Sequence, residues 1–181
     1  MYKPLIRLVS GPIGSDTGLS RHVRSLRDAL VQEGVNPELI SSKLPPLTHQ
    51  FAPVFRKVGL DPVAFFTTYP VRLSRGSTTT ITHLTSQNLA TALAFRPVPN
   101  AVVTVHDLIT VAGGDDPSIT GYLRFYDRLF DHLALRGLRS AQALVADSDH
   151  SRADIMRILR FDTERVWVIP LGVDHARFKY T

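Results

Sequence analysis

The chain of 181 residues contains no cysteine. That excludes disulfides and thiolate metal sites, and it fits a reducing compartment. Long hydrophobic runs are also missing. No apolar stretch approaches the ~20 residues needed to span a bilayer. The opening "MYKPLIRLVS" lacks the extended apolar core and small-residue cleavage site of a secretory leader. Acidic residues are outnumbered, leaving a formal charge of +5 carried mostly by arginine. Those arginines are dispersed and form no block. The balance suits phosphorylated small molecules, anionic lipid, nucleic acid or simply a solvated surface. Internal repeats and low-complexity segments are absent as well. Together these absences point to a cytoplasmic globular protein. A peripheral contact with the cytoplasmic face of a membrane stays open.

Against this background stands a core-forming composition, 44% apolar, in a chain long enough to bury it. Leu5 to Ser10 reads as a strand that Gly11-Pro12 ends. Leu19, Val23, Leu26 and Leu30 recur at helical spacing, and Gly34 stops that helix. Pro37 to Ser41 reads as a second strand. Strand, glycine loop, helix and strand form a βαβ unit, hence an α/β fold with an open parallel sheet and helices on both faces. Residues 43–76, rich in proline and aromatics, suggest a loop with one or two short helices. Thr79 to Leu84 reads as a strand, Gln87 to Ala94 as a short helix, and "AVVTV" before His106 as a buried central strand. A long helix should begin between Asp116 and Gly121, with Tyr122, Tyr126, Leu129 and Leu133 as its apolar stripe. "AQALVAD" is a further strand, Ser148 or Asp149 caps a helix reaching about Leu159, and Val166 to Ile169 is the last strand.

Three stretches carry residues suited to chemistry. In "SGPIGSDTGLSRHV", Gly11, Gly14 and Gly18 lie between a strand and a helix. Such a loop lets backbone approach a ligand, and the helix N-terminus beyond it favours an anion. The spacing is neither G-x-G-x-x-G nor a P-loop. A tight connection with no ligand fits the same residues. In "VTVHDLI", His106 and Asp107 fall where the central strand runs out, the edge at which open parallel sheets bind ligands. "GGDDP", Gly113 to Pro117, offers paired acids that suit either a divalent ion held against a diphosphate or a helix cap.

The most specific stretch is the last, "ALVADSDHSRADIMRILRFDTERVWVIPLGVDHARF". A strand is followed by Ser148-x-x-Ser151, a connector, the strand Val166 to Ile169, Pro170, Gly172-Val173-Asp174 and a spaced Phe178. The order resembles the end of the N-terminal domain in GT-B retaining glycosyltransferases of glycosyltransferase family 4. "TGLSRHVRSLRDAL" and "VTVHDL" resemble the same domain's first helix and central strand. Where the family commonly has a Gly-Gly pair, this chain has Thr17-Gly18.

The resemblance implies a Rossmann-like half of a GT-B fold over 1–169, with 170–181 opening a linker to a second domain. It implies transfer of a sugar from a nucleotide-sugar donor to an acceptor hydroxyl, with no metal or other cofactor and no nucleic-acid partner. The acceptor would be a sugar, a lipid-linked sugar or a small molecule. His106 and Asp107 would be catalytic: His106 would hold the donor sugar, and Asp107 would orient His106 or touch the acceptor. Gly14, Thr17 and Gly18 would line the substrate near the diphosphate or acceptor. The donor domain's pair of glutamates separated by seven residues has no counterpart at Glu33, Glu38 or Glu164. The C-terminal domain is therefore expected to be missing from this chain. A free-standing flavodoxin-like binding module, or a basic surface binder for nucleic acid or anionic lipid, would share many of these features.

Overall fold

The computed structural model describes residues 5–11, 17–41, 44–45, 47–57, 61–73, 79–113 and 125–172. Six strands form one parallel sheet in the order β2-β1-β3-β4-β5-β6: β1 Leu5–Ser10, β2 Glu38–Ser41, β3 Thr80–Leu84, β4 Ala101–Val105, β5 Ala143–Ala146 and β6 Val166–Val168. The order reverses once. From β1 the chain crosses to β2 on one side, and every later strand adds on the other. The reversal puts a topological switch point between β1 and β3, where ligands settle in sheets of this kind.

The "AVVTV" strand lies inside the sheet as its composition predicts. Val103, Thr104 and Val105 are buried in succession, so both faces of β4 are covered. Parallel neighbours need crossover connections, and helices supply them. Helix α1 (Gly18–Gln32) links β1 to β2 and buries Val23. Thr17 caps it, its Oγ1 accepting from the Ser20 amide. It stops at Gly34, whose φ of 73° is a conformation glycine takes without cost.

Between β2 and β3 the proline- and aromatic-rich region holds two short helices, α2 (Thr48–Arg56) and α3 (Pro62–Thr68). A 3-10 turn over Gln87–Ala90 runs into α4 (Thr91–Phe95), and α5 spans Ile109–Ala112. The long helix α6 is described over Phe125–Arg139, and α7 (Asp149–Asp154) continues as a π-helical turn over Ile155–Leu159. Ser148 is its cap, with the side chain accepting from the Ser151 amide. The core sits between β3, β4, β5 and the helices α4 and α6, with Leu84, Leu93, Val103, Leu138 and Leu144 fully enclosed.

One stripe needs correcting. The expected apolar face of α6 ran through Tyr122, Tyr126, Leu129 and Leu133. Tyr122 lies outside the described residues, and Leu129 is exposed. The buried face is Asp131, Ala134, Leu135 and Leu138. A carboxylate on that face hides it from a search for apolar periodicity. Asp131 is buried because Tyr69 Oη and Thr110 Oγ1 each donate to it at 2.9 Å. Of "GGDDP", only Gly113 is among the described residues. No described helix is long and apolar enough to cross a membrane.

Candidate functional site

The carboxyl ends of β1, β3, β4 and β5 meet at one edge, and each delivers polar residues there. β1 ends at Ser10-Gly11, β3 runs into Thr85-Ser86, β4 into His106 and β5 into Asp147-Ser148. Between the ends of β1 and β3 lies a cleft of about 210 Å³. Its walls include Thr17 and Ser20 from the start of α1, Thr67 and Thr68 from the end of α3, and Thr85 to Asn88 after β3, without Gln87. Thr85 is the hinge of this region. Its amide and its hydroxyl both donate to the Val9 carbonyl, at 3.0 and 2.9 Å, and so tie β3 to β1.

His106 stands beside the cleft, fixed at every polar atom. Its amide donates to Gln87 Oε1 at 3.3 Å, and its carbonyl accepts from Ser151 Oγ at 2.8 Å. Its Nε2 lies 3.1 Å from the Thr85 carbonyl, and its Nδ1 lies 3.3 Å from Asp147 Oδ2. Asp147 is held in turn, because Ser151 Oγ also reaches its Oδ1 at 3.1 Å. The Ser148-x-x-Ser151 pattern thus has a physical role. Ser148 caps α7, and Ser151 joins that cap to the backbone and carboxylate around His106.

Two further histidines stand behind it. His22 on α1 sets its ring edge-on to His106, with centroids 5.0 Å apart. Its Nε2 is buried with no hydrogen-bond partner among the described residues. Burial, with His106 adding to it, holds the His22 imidazole below the ordinary histidine value, while Asp147 pulls the other way. His83 on β3 meets Thr104 Oγ1 at 2.8 Å. Burial, then the neighbouring His22, lowers its pKa to about 4. His83 is therefore neutral at ordinary pH.

The residues expected from sequence divide among several places. His106 is at the carboxyl edge as expected, but both its ring nitrogens are engaged within the chain. Asp107 does not face it. That side chain is exposed, and its Oδ1 accepts from the Ile109 amide at 3.3 Å at the start of α5. The carboxylate beside the imidazole is Asp147. Thr17 lines the cleft, and Gly18 begins α1 next to it. Among the described residues no atom lies within 4 Å of where a Cβ on Gly18 would stand, so none of them demands glycine there. Gly14 lies outside the described residues. Sequence reasoning missed His22, His83, Thr85 and Asp147. Among the described residues no three His, Asp or Glu side chains come together as a metal site.

The comparisons agree with this architecture. A family model described as Glycosyltransferase Family 4 matches residues 17–177. No curated protein matches the chain.

Proposed function

The chain belongs to Glycosyltransferase Family 4, and from that premise we propose that it is the acceptor-side domain of a retaining glycosyltransferase. In this reading it works opposite a second domain that binds most of a nucleotide-sugar. The observation that carries the proposal is the position of the cleft. It opens at the switch point of a parallel sheet, between the ends of β1 and β3, with the start of α1 on its rim and His106 beside it.

The roles proposed here fit that geometry. The acceptor occupies the cleft, and its hydroxyl is held toward the mouth. The donor sugar closes over the His106 side, where the imidazole gives a directed hydrogen bond once one of its two partners is released. Charge on the departing diphosphate is met by fixed positive groups and helix N-termini, the means by which a rigid site stabilises developing charge. No protein nucleophile is required. Thr17 serves on the rim of the cleft with Gly18 beside it at the start of α1, and a substrate contact at Gly14 is part of the same proposal.

The test is a transfer assay on the chain continued into its donor domain, with a panel of nucleotide-sugars and acceptors. The anomeric configuration of the product is read by proton NMR. Transfer with retained configuration is the expected result. An inverted product, or no transfer by a folded two-domain protein with any donor of the panel, overturns the proposal.

A further inference from the structure

The His106 ring faces two oxygens that only accept. Its Nδ1 lies 3.3 Å from Asp147 Oδ2, and its Nε2 lies 3.1 Å from the Thr85 carbonyl oxygen. A neutral imidazole has one N–H and one bare nitrogen. It donates to one of the two oxygens, and its bare nitrogen confronts the other. The place of that single proton decides which nitrogen is a donor and which an acceptor.

Distance slightly favours the carbonyl, but charge favours the carboxylate by more. A hydrogen bond to an ionised acceptor is about twice as strong as a neutral one. A bare nitrogen is also repelled more by a full negative charge than by a carbonyl dipole. Little water screens the difference, since the His106 and Asp147 side chains are only 15% and 17% exposed. Asp147 is fixed from its far side, where Ser151 Oγ lies 3.1 Å from Oδ1 and is itself held by Ser148. The remaining neighbours leave the choice to Asp147. Gln87 and Ser151 bond only the His106 backbone. His22 on α1 meets the ring edge-on, and its Nε2 has no hydrogen-bond partner among the described residues.

We propose that Asp147 is a positioning residue, which keeps the His106 proton on Nδ1 and so presents Nε2 as a hydrogen-bond acceptor. Strand order gives this choice a direction. Asp147 follows β5 on one side of β4, and Thr85 follows β3 on the other, where it lines the cleft. Nε2 is therefore the nitrogen on the cleft side. A hydroxyl that takes the place of the Thr85 carbonyl and donates to Nε2 relieves a contact between two acceptors, which a bare acceptor oxygen does not. That such a hydroxyl belongs to a substrate rests on the proposed transferase function. The place of the proton rests on the contacts of His106 alone.

Long-range ¹H–¹⁵N correlation spectra of the labelled chain at about pH 8, above the ordinary histidine range, read the proton directly. Of the signals from seven histidines, those of His106 are the ones lost in His106→Gln. They should show a protonated Nδ1 and a bare Nε2. A proton on Nε2, or on both nitrogens, overturns the proposal. This test needs no change at Asp147, so it holds even if Asp147 variants fold poorly. Asp147→Asn keeps the side-chain shape and sets an amide donor against Nδ1, and an amide in place of an orienting carboxylate imposes the other tautomer. The proton should move to Nε2, and a folded variant in which it stays on Nδ1 rejects the role of Asp147. In the two-domain enzyme, Asp147→Asn should lower kcat/KM about tenfold or more, as for one lost directed hydrogen bond. Because Asp147 acts through His106, it should lower kcat/KM no further in a His106→Ala background. An undiminished kcat/KM, or the same loss in both backgrounds, rejects the positioning role and leaves the transferase proposal standing. A proton that moves as expected in a two-domain enzyme unable to glycosylate anything does the opposite.

Discussion

His106 is the residue on which structure and function bear most directly. With Nε2 against the Thr85 carbonyl and Nδ1 against Asp147, it is both a candidate sugar contact and a pin between the ends of β3, β4 and β5. His106→Ala in the two-domain enzyme should lower turnover about tenfold to a few hundredfold, for a lost bond worth ~1–3 kcal/mol. A mutant that transfers at the wild-type rate removes His106 from the chemistry. His83 makes a different prediction. Its pKa of about 4 in the folded chain lies below the ordinary 6.5. Below pH 6.5 the unfolded chain takes up a proton that the folded chain refuses. Stability contributed by neutral His83 is therefore intact above about pH 6.5 and lost as pH falls toward 4. The loss is about 2 kcal/mol by pH 5. His22, shifted the same way, adds to the slope. Chemical denaturation of wild type and His83→Gln across this range is the check, and an unchanged slope in the variant rejects the assignment. Of these residues, His106 alone was legible in the sequence, because it ends an unmistakable buried strand. Asp147, forty-one residues on, was not, because only the pairing of β4 with β5 brings the two strand ends together.

At the scale of elements, the strands were read well and helix faces less so. β1 has the limits its alternation predicts, and β3 and β6 differ from expectation by one residue at one end. Strands are short and bounded by turn residues, so local composition fixes them. The buried face of α6 was missed because its deciding residues are Asp131 and Gly137, neither of which scores as apolar. At Gly137, α6 lies close against the 3-10 turn that ends at Ala90. A Cβ there would stand 1.8 Å from the Ala90 carbonyl oxygen, a backbone atom with no free end to move. Gly137→Ala should cost at least about 3 kcal/mol, the upper range for overpacking, and lower Tm by roughly 6–12 °C in a chain of this size. A Tm within a degree of wild type would mean that α6 and the 3-10 turn slide apart without penalty. Gly18→Ala is the contrasting case. Its Cβ meets nothing among the described residues, so Tm should hold or rise slightly. A loss of ligand binding in that variant, with Tm intact, would identify Gly18 as a point where ligand meets backbone.

At the scale of the whole molecule, the function proposed above gives this domain one side of a two-domain cleft. This chain alone should show no glycosyl transfer and bind nucleotide-sugars weakly, and calorimetry giving micromolar affinity for a nucleotide-sugar would contradict the division of labour proposed above. The switch point also has a consequence for how the chain assembles. Joining β1 to β3 closes the chain from Leu5 to Thr80, the longest closure in the sheet. The other pairings join Arg7 to Glu38, Thr82 to Ala101, Val102 to Ala143 and Leu144 to Val166. Longer closures cost more entropy and come later. Two blocks should therefore form separately, residues 5–41 and residues 79–172, and dock along the β1–β3 seam. Native-state hydrogen exchange should then find the amides of β1 and β2 opening together, at lower free energy than those of β4 and β5. The cleft lies on that seam, with Ser10 and Thr17 from one block and Thr85 and Asn88 from the other. A ligand bound there staples the two blocks, so it should slow exchange throughout β1 and β2 while leaving β4 and β5 nearly unchanged.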